Sequence, residues 1–398
     1  MNGKLLAVLI ALSAGSANVF LTRVLLATPC PTDCAGGPFL AAPIYATLLA
    51  FVAMGLNLLV PCVRLVRARC ARADEGGAHA SGALLEVDDD AVADSRDAHE
   101  ILGARACASR YAQLILPTVM DVFATALSAS STLFVAASVG AATRGTMLLF
   151  AGAAGACGLG EALSRREWRA VAVSVTGTVL VGAAAVLDAD AAANGGGVGG
   201  GGGGGGGALI GTMPPIVAAA LGVGLSTLAN FTQAVQVVIE TILLKASVPL
   251  SPAEVNGVEG VLGALMLAAA LPFARLAGGE DAAATACCVA RSPRAAILSV
   301  ALIAAFAAST AAFMLLSSLR GAHFRVLLLV ARSAVVWAVE LVFGAAGSAD
   351  GVAWSPHSYL SAIGFVVLGA GGALAWTAQD AKLRVPVVRT TKMTLELN

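Results

Sequence analysis

Apolar runs of about twenty residues recur along almost the whole chain, and this pattern constrains the fold more than any other feature. A helix of about 20 apolar residues crosses the roughly 30 Å hydrocarbon core of a bilayer. Hydrophobic residues make up 58% of the 398 residues, and only 12% are charged. So few charges cannot cover a globule with polar surface. The sequence therefore predicts an all-α integral membrane protein.

A hydropathy window of about 19 residues predicts ten transmembrane helices. They are residues 5–26, 39–61, 111–129, 132–156, 169–187, 220–244, 256–275, 295–318, 324–344 and 358–377. The first run is too long for the apolar core of a signal peptide, so it is expected to stay as an anchor. Pro214 and Pro215 interrupt a longer apolar stretch, so residues 208–219 are expected to form an interfacial or re-entrant piece. If that piece crosses the membrane instead, the number of spans becomes odd, and the two termini lie on opposite sides of the membrane.

Basic residues near the ends of spans collect on the cytoplasmic side of a membrane. With the N-terminus inside, eighteen of the 24 Lys and Arg residues fall on that side. Two more, Arg144 and Arg332, lie inside spans. The remaining four lie on the far side: Arg23, Arg275, Arg291 and Arg294. Both termini are therefore predicted to be cytoplasmic.

Two connections have a biased composition. Residues Asn194 to Gly207 are almost all glycine, which is typical of a flexible tether. Residues 64–110 form a cytoplasmic loop with an acidic run, Glu86 to Glu100; solvated disorder is its usual meaning, and cation or partner binding is the alternative. The predicted organisation is a five-helix repeat at 1–187, a glycine-rich linker and interfacial segment at 188–219, a second five-helix repeat at 220–377 and a cytoplasmic tail at 378–398.

The eight cysteines and four histidines show no spacing typical of a zinc site. Cys30 and Cys34, in "CPTDC", lie in a far-side loop and either close a small disulfide or stay as free thiols. The chain has no nucleophile elbow and no P-loop, which disfavours an enzyme and an ATP-driven pump. No cofactor and no metal are predicted. The formal net charge of zero argues against a nucleic-acid partner.

Arg144 and Arg332 lie inside predicted spans four and nine. A charge within a bilayer is costly, so such residues face protein or a water-filled cavity. The two spans are five apart, and an odd number of spans in each half makes the halves inverted in the membrane. The positions therefore suggest two inverted repeats, each contributing one arginine to a central anion site.

The stretch "LPTVMDVFATALSASSTLFVAASVGAATRG", Leu116 to Gly145, resembles the third and fourth helices of nucleotide-sugar-transporter-like proteins of the drug/metabolite transporter superfamily. The resemblance is strongest to the F branch of solute carrier family 35 and to chloroquine-resistance-transporter-like proteins. Further matching motifs, in chain order, are "AGSANVFLTR", "VQVVIETILLK", "NGVEGVLG" and "RVLLLVARSAVVWA". Two positions depart from the pattern: Ala141 stands where relatives have glutamine, and Glu240 stands alone where two acids are frequent.

This resemblance implies an EamA-like transporter with ten helices in two inverted five-helix repeats around a central cavity. It also implies an internal membrane, such as that of the Golgi, endolysosome or vacuole, rather than the plasma membrane.

Five residues are candidate substrate ligands: Arg144, Arg332, Asn18, Gln233 and Gln236. A guanidinium can bind a carboxylate or phosphate through two hydrogen bonds. The alternative for Arg144 is a structural arginine held by helix carbonyls or by Asp121. Arg325, two turns before Arg332, is expected to be a helix-end cation that reaches the interface. Asn18 marks either a cavity wall or a close helix contact.

Four further polar residues are candidates for coupling or for structure. Asp121 and Thr125 share a helix face, where the carboxylate could neutralise an arginine or carry a proton. Asn230, Gln233, Gln236 and Glu240 form a polar stripe along predicted span six. This stripe either faces the cavity or forms hydrogen bonds to another helix. Glu259 lies near the start of predicted span seven, where capping or interfacial packing is the alternative to a role in transport.

The leading hypothesis is a secondary transporter that moves a small, anionic organic metabolite, nucleotide-sugar-like, phosphorylated or other, by alternating access. Its partners would be that small-molecule substrate and the lipid bilayer, with proton coupling as an option. The sequence leaves the oligomeric state open. The alternative is a non-transporting membrane scaffold or adaptor, in which the arginines serve packing and the acidic loop recruits partners.

Overall fold

The computed structural model describes most of the chain, and the described parts are helical, with no strand among them. These parts are residues 3–34, 40, 42–59, 111–159, 163–194, 213–244, 251–274, 280–320, 322–346, 352 and 354–384. Their helices are α1 Gly3–Leu26, α2 Pro43–Leu56, α3 Ile115–Ser131, α4 Ala137–Ala142, α5 Gly145–Leu159, α6 Arg165–Asn194, α7 Pro215–Leu244, α8 Pro252–Ala274, α9 Ala282–Arg291, α10 Pro293–Arg320, α11 Ala322–Ala345 and α12 Ser358–Arg384. Residues 195–207 of the polyglycine tether and the acidic loop lie outside the described residues.

Six of these helices are long and apolar enough to cross a membrane. They contain the stretches Leu5–Leu26, Arg165–Asp188, Ile216–Glu240, Ala253–Phe273, Pro293–Leu316 and Ser358–Ala375. Large apolar side chains on them point outward: Ile297 is 68% exposed and Val366 is 72% exposed. Such surfaces are stable in lipid and unstable in water. The chain is a multi-pass, all-α membrane protein.

Most helix ends lie several residues from the ends of the predicted spans, and three differences change the architecture. Helix α7 begins at Pro215, because proline is well tolerated in the first turn of a helix, so residues 215–219 belong to this helix and do not form a separate piece. Residues 208–212 lie outside the described part. Helix α9, between α8 and α10, is new: Asp281 caps it by accepting hydrogen bonds from the N–H groups of Ala283 and Ala284.

The third difference is a break within predicted span four. Helix α4 ends at Ala142 and α5 begins at Gly145, so Thr143 and Arg144 form the junction. Thr178 of α6 donates to the carbonyl of Ala142 at 3.1 Å, which satisfies an acceptor near the break. The break places Arg144 between two helix ends.

Two helix pairs pack at backbone distance through glycine. On α6, a Cβ added to Gly177 would lie 2.6 Å from the backbone nitrogen of Leu368 on α12. On α8, a Cβ added to Gly260 would overlap the backbone of Gly55 on α2. These positions require glycine because a larger residue would push the two helices apart.

Helices from both halves of the chain enclose a central space. Helix α1 packs on α10 and α11, while α7 packs on α3 and α5. Helix α11 also packs on α4. An apolar cluster that includes Val139, Met147, Phe313 and Phe365 joins several of these helices. The candidate site lies among them.

Candidate functional site

A cavity of about 130 Å³ lies between the helices. Its walls come from α1, α2, α3, α7, α8, α10, α11 and the α4–α5 junction, so both halves of the chain contribute. The polar lining residues are Asn18, Thr22, Thr47, Asp121, Thr125, Ser128, Thr132, Arg144, Asn230, Gln233, Asn256, Ser309, Thr310 and Arg332. Phe306, Phe313, Met54 and Leu302 are among the apolar ones. The cavity is therefore a polar space inside an apolar bundle.

Arg144 reaches this cavity from the junction between α4 and α5. Its Nη1 donates to Oε1 of Gln233 on α7 at 2.8 Å. The preceding residue, Thr143, accepts from Nδ2 of Asn230 at 2.9 Å and lies 2.6 Å from the hydroxyl of Ser226. The junction is thus bonded to α7 at three neighbouring points, which holds the guanidinium at the cavity wall.

Arg332 lines the cavity from α11 and is only 4% exposed. Its guanidinium carbon lies 5.9 Å from the ring centre of Phe313, within the range of a cation–π contact. Its backbone carbonyl accepts from the hydroxyl of Ser16 at 3.4 Å. A Cβ added to Gly15 would lie 3.4 Å from Cδ of Arg332, so the small residue leaves room for the arginine beside α1.

The other predicted ligands are divided between the cavity and the helix contacts. Asn18 lines the cavity and donates to the hydroxyl of Ser309 at 3.2 Å. Gln233 lines it beside Arg144. Gln236 is buried outside the cavity lining, where its Nε2 donates to Glu240 at 2.6 Å. The C-terminal part of the predicted polar stripe, Gln236 and Glu240, therefore forms a hydrogen bond within α7 and does not line the cavity.

The predicted coupling residues are also divided. Asp121 and Thr125 both line the cavity, and the Thr125 hydroxyl donates to the Asp121 carboxylate at 3.3 Å. Glu240 and Glu259 are buried, 5% and 1% exposed, and neither is among the lining residues. Arg325 lies in α11, and its side chain is outside the described part.

A buried ion pair that the sequence did not reveal lies near one end of the cavity. Nη1 of Arg23 on α1 lies 2.6 Å from Oε1 of Glu340 on α11, and the side chains are 4% and 0% exposed. The Glu340 carboxylate also accepts from the backbone N–H groups of Ala137 at 2.9 Å and Ser138 at 3.1 Å. These groups are the free donors at the start of α4. The eight-residue spacing of Arg332 and Glu340, which places them on one helix face, was the available sequence signal.

Two disulfides correct the interpretation of the cysteines. Cys30 bonds Cys288, and Cys34 bonds Cys287, so the predicted alternatives of a Cys30–Cys34 ring or free thiols are both wrong. Both bonds join the α1–α2 connection to α9. The surface ion pair between Arg291 and Asp33, at 3.1 Å, joins the same segments. We call the end of the molecule that carries these bonds the disulfide face.

Glu280 also lies at the disulfide face, just before α9. Its carboxylate accepts from the N–H groups of Ile44 at 2.8 Å and Tyr45 at 3.1 Å, at the start of α2. Burial raises the pKa of Glu280 to about 7, against the lowering effect of these hydrogen bonds and one from Thr285. Glu280 therefore titrates near neutral pH.

No group of three or more His, Cys, Asp or Glu side chains that could hold a metal ion occurs in the described ranges. The cavity instead presents two guanidinium groups, one carboxylate, amides and hydroxyls. Guanidinium and amide groups of this kind can bind an anion that also carries oxygen atoms. No protein-family model matches this chain, and no match was found among curated proteins.

Proposed function

We propose that this protein is a secondary transporter of the drug/metabolite transporter type that moves a small organic anion across an internal membrane by alternating access. The observation that carries the proposal is that Arg144 and Arg332 line one cavity. They come from different halves of the chain. With Asp121, the cavity has two cationic groups and one anionic group, which favours a substrate of net negative charge.

The packing of the helices supports ten spans in two inverted repeats. In such a repeat α1 corresponds to α7, α2 to α8, α3 to α10, α4 and α5 to α11, and α6 to α12. A twofold axis would then pair α1 with α10 in the same way as α7 with α3, and both contacts occur. It would also place α2 against α8 and α6 against α12, and both of these pairs occur. Arg144 and Arg332 lie in corresponding segments in this arrangement.

The cavity volume indicates a small substrate. A cavity of 130 Å³ holds only about four water molecules, at roughly 30 Å³ of liquid volume each. This space suits a compact carboxylate or phosphate ester. A nucleotide sugar would need a wider state of the same cavity.

The direct test is uptake by proteoliposomes of a mixed panel of carboxylates and phosphate esters, with and without a pH gradient. We expect Arg144→Gln and Arg332→Gln to reduce anion uptake at least about tenfold, because a charge-assisted hydrogen bond contributes roughly 1.5–3 kcal/mol. Arg169→Gln is the matched control, since Arg169 is exposed at the start of α6. Its uptake should equal that of the parent.

The melting temperature in detergent separates transport from structure. A substrate-binding arginine can be replaced with little change in melting temperature, whereas breaking a structural buried pair costs roughly 3–5 kcal/mol. Early melting of both variants would assign the arginines to packing, which is the scaffold alternative. Normal uptake by both variants would contradict an anion site.

A further inference from the structure

The buried pair of Arg23 and Glu340 lies where the cavity approaches the disulfide face. Thr22 is the last residue of α1 that lines the cavity, and Arg23 follows it directly. Helix α1 ends at Leu26, four residues before the disulfide-bonded Cys30. The ion pair therefore lies between the cavity and the disulfide face.

This pair connects three helices of both halves of the chain. Glu340 on α11 contacts Arg23 on α1 and the first two N–H groups of α4. Both side chains are almost fully buried, so little water separates the helices at this point. The contact closes the space between α1, α4 and α11.

We propose that Arg23, Glu340 and the start of α4 form a gate, which closes the cavity toward the disulfide face and opens when substrate exchanges there. The gate rests on the proposed transport function. Alternating access requires a contact between the two halves that forms in one state and breaks in the other.

An ion pair suits a contact that must open repeatedly. Burial removes water from both charges, and their attraction roughly offsets that cost, so the closed pair gains little net free energy over the hydrated groups. When the gate opens, water solvates both charges again. Apolar side chains of the same size would favour the closed state more strongly, because opening would expose them to water.

The neighbouring contacts indicate which bond breaks. The disulfides hold the end of α1 to α9, and α1 also packs on α10. Glu340 binds the start of α4, and α11 packs on α4. Helix α1 also packs on α11, so opening separates the ends of these two helices, where Arg23 and Glu340 form the charged contact. The gate therefore opens between Arg23 and Glu340, with Glu340 still bound to α4.

Thiol labelling tests the gate without any known substrate. Thr125→Cys places a thiol in the cavity wall six residues before α3 ends at Ser131, in a background where Cys62, Cys70, Cys107 and Cys157 are serine. In sealed vesicles, a membrane-impermeant maleimide added at the disulfide face should label it slowly. Neutralising both partners, Arg23→Gln with Glu340→Gln, should raise the rate at least about tenfold, because the open state is ordinarily a minor population of roughly 0.1–10%.

Arg291→Gln is the control, because it removes an exposed ion pair at the same face and should leave the rate unchanged. An unchanged rate in a double variant that elutes and melts like the parent would overturn the gate. Arg23→Lys retains the positive charge, so its labelling should stay below that of the double variant.

If the double variant does not insert, a second pair of cysteines decides the question. Arg23→Cys with Glu340→Cys, bridged by a short bifunctional thiol reagent, should block labelling of Thr125→Cys from the disulfide face. Continued labelling after bridging would overturn the gate. Altered labelling together with no uptake of any anion would contradict the transport proposal and leave the gate in place.

Discussion

Individual carboxylates in this protein differ in what surrounds them, although two of them bind helix starts in the same way. Glu340 receives two backbone N–H groups of α4 and also contacts Arg23. Glu280 receives two N–H groups of α2 and a hydrogen bond from Thr285. For Glu280, the cost of burying a charge exceeds the gain from these bonds, so its pKa rises. The charge of the Glu280 carboxylate at the start of α2 therefore changes near neutral pH.

The raised pKa of Glu280 predicts that the protein becomes less stable as the pH rises. Its pKa is about 7 in the folded state and 4.5 ordinarily, so the folded state binds more protons between these values. The free energy of unfolding should fall by up to about 3 kcal/mol across that window. Glu280→Gln should flatten the change in melting temperature between pH 5 and pH 8.

The neighbouring titratable groups Tyr45 and Asp281 remain in the Glu280→Gln variant, so a change in the pH profile is due to Glu280. Asp33→Asn is the control, because Asp33 is an exposed carboxylate on the same face. Parallel pH profiles for the parent and Glu280→Gln would contradict the assignment.

Sequence position alone singled out Arg144 and Arg332, because a charge inside an apolar run is visible locally. It did not single out Glu340, which lies near the end of a span, where a carboxylate is ordinary. The partner of Glu340 is Arg23, 317 residues away. Only a folded structure brings them together.

Hydropathy predicts the long helices of this protein well, but it predicts the breaks and short helices poorly. The apolar runs located the long helices because helices satisfy their own backbone groups in lipid. The break at Arg144 depends on Thr178, Ser226 and Asn230, which lie on other helices. Helix α9 has only ten residues, too few for a membrane span, so a search for spans passes over it.

The close pairing of α6 and α12 predicts a strong asymmetry between neighbouring glycines on α6. Gly177→Ala should lower the free energy of unfolding by about 1–3 kcal/mol, because its Cβ would meet the backbone of α12. Gly182→Ala is the matched control. Nothing lies within 4 Å of a Cβ there, so it should leave the stability unchanged or raise it by up to about 1 kcal/mol. The melting temperatures in detergent measure both, and equal values would contradict the packing.

At the scale of the whole molecule, the two disulfides join parts of the chain more than 250 residues apart. Four cysteines allow three pairings, so sequence alone could not choose among them. In the proposed ten-span topology, the α1–α2 connection and the α8–α10 connection would lie on the same, non-cytoplasmic side. Disulfides persist in oxidising compartments, which agrees with that side. The two disulfides and the distribution of Lys and Arg thus both support an orientation with cytoplasmic termini and the disulfides on the opposite side.

This orientation predicts how the protein separates after a single cut. A protease site placed at Gly200 lets the two halves be cut apart, and the disulfides should keep them together on a denaturing gel until a reductant is added. In sealed vesicles whose terminal tags are accessible from outside, a membrane-impermeant reductant should fail to release them, and a permeable one should succeed, because the disulfides lie on the face opposite to the termini. A Cys287→Ser, Cys288→Ser variant is the control and should separate without reductant. Release by the impermeant reagent would place the disulfides and the termini on one face and would rule out the odd number of spans that the proposed topology places between them.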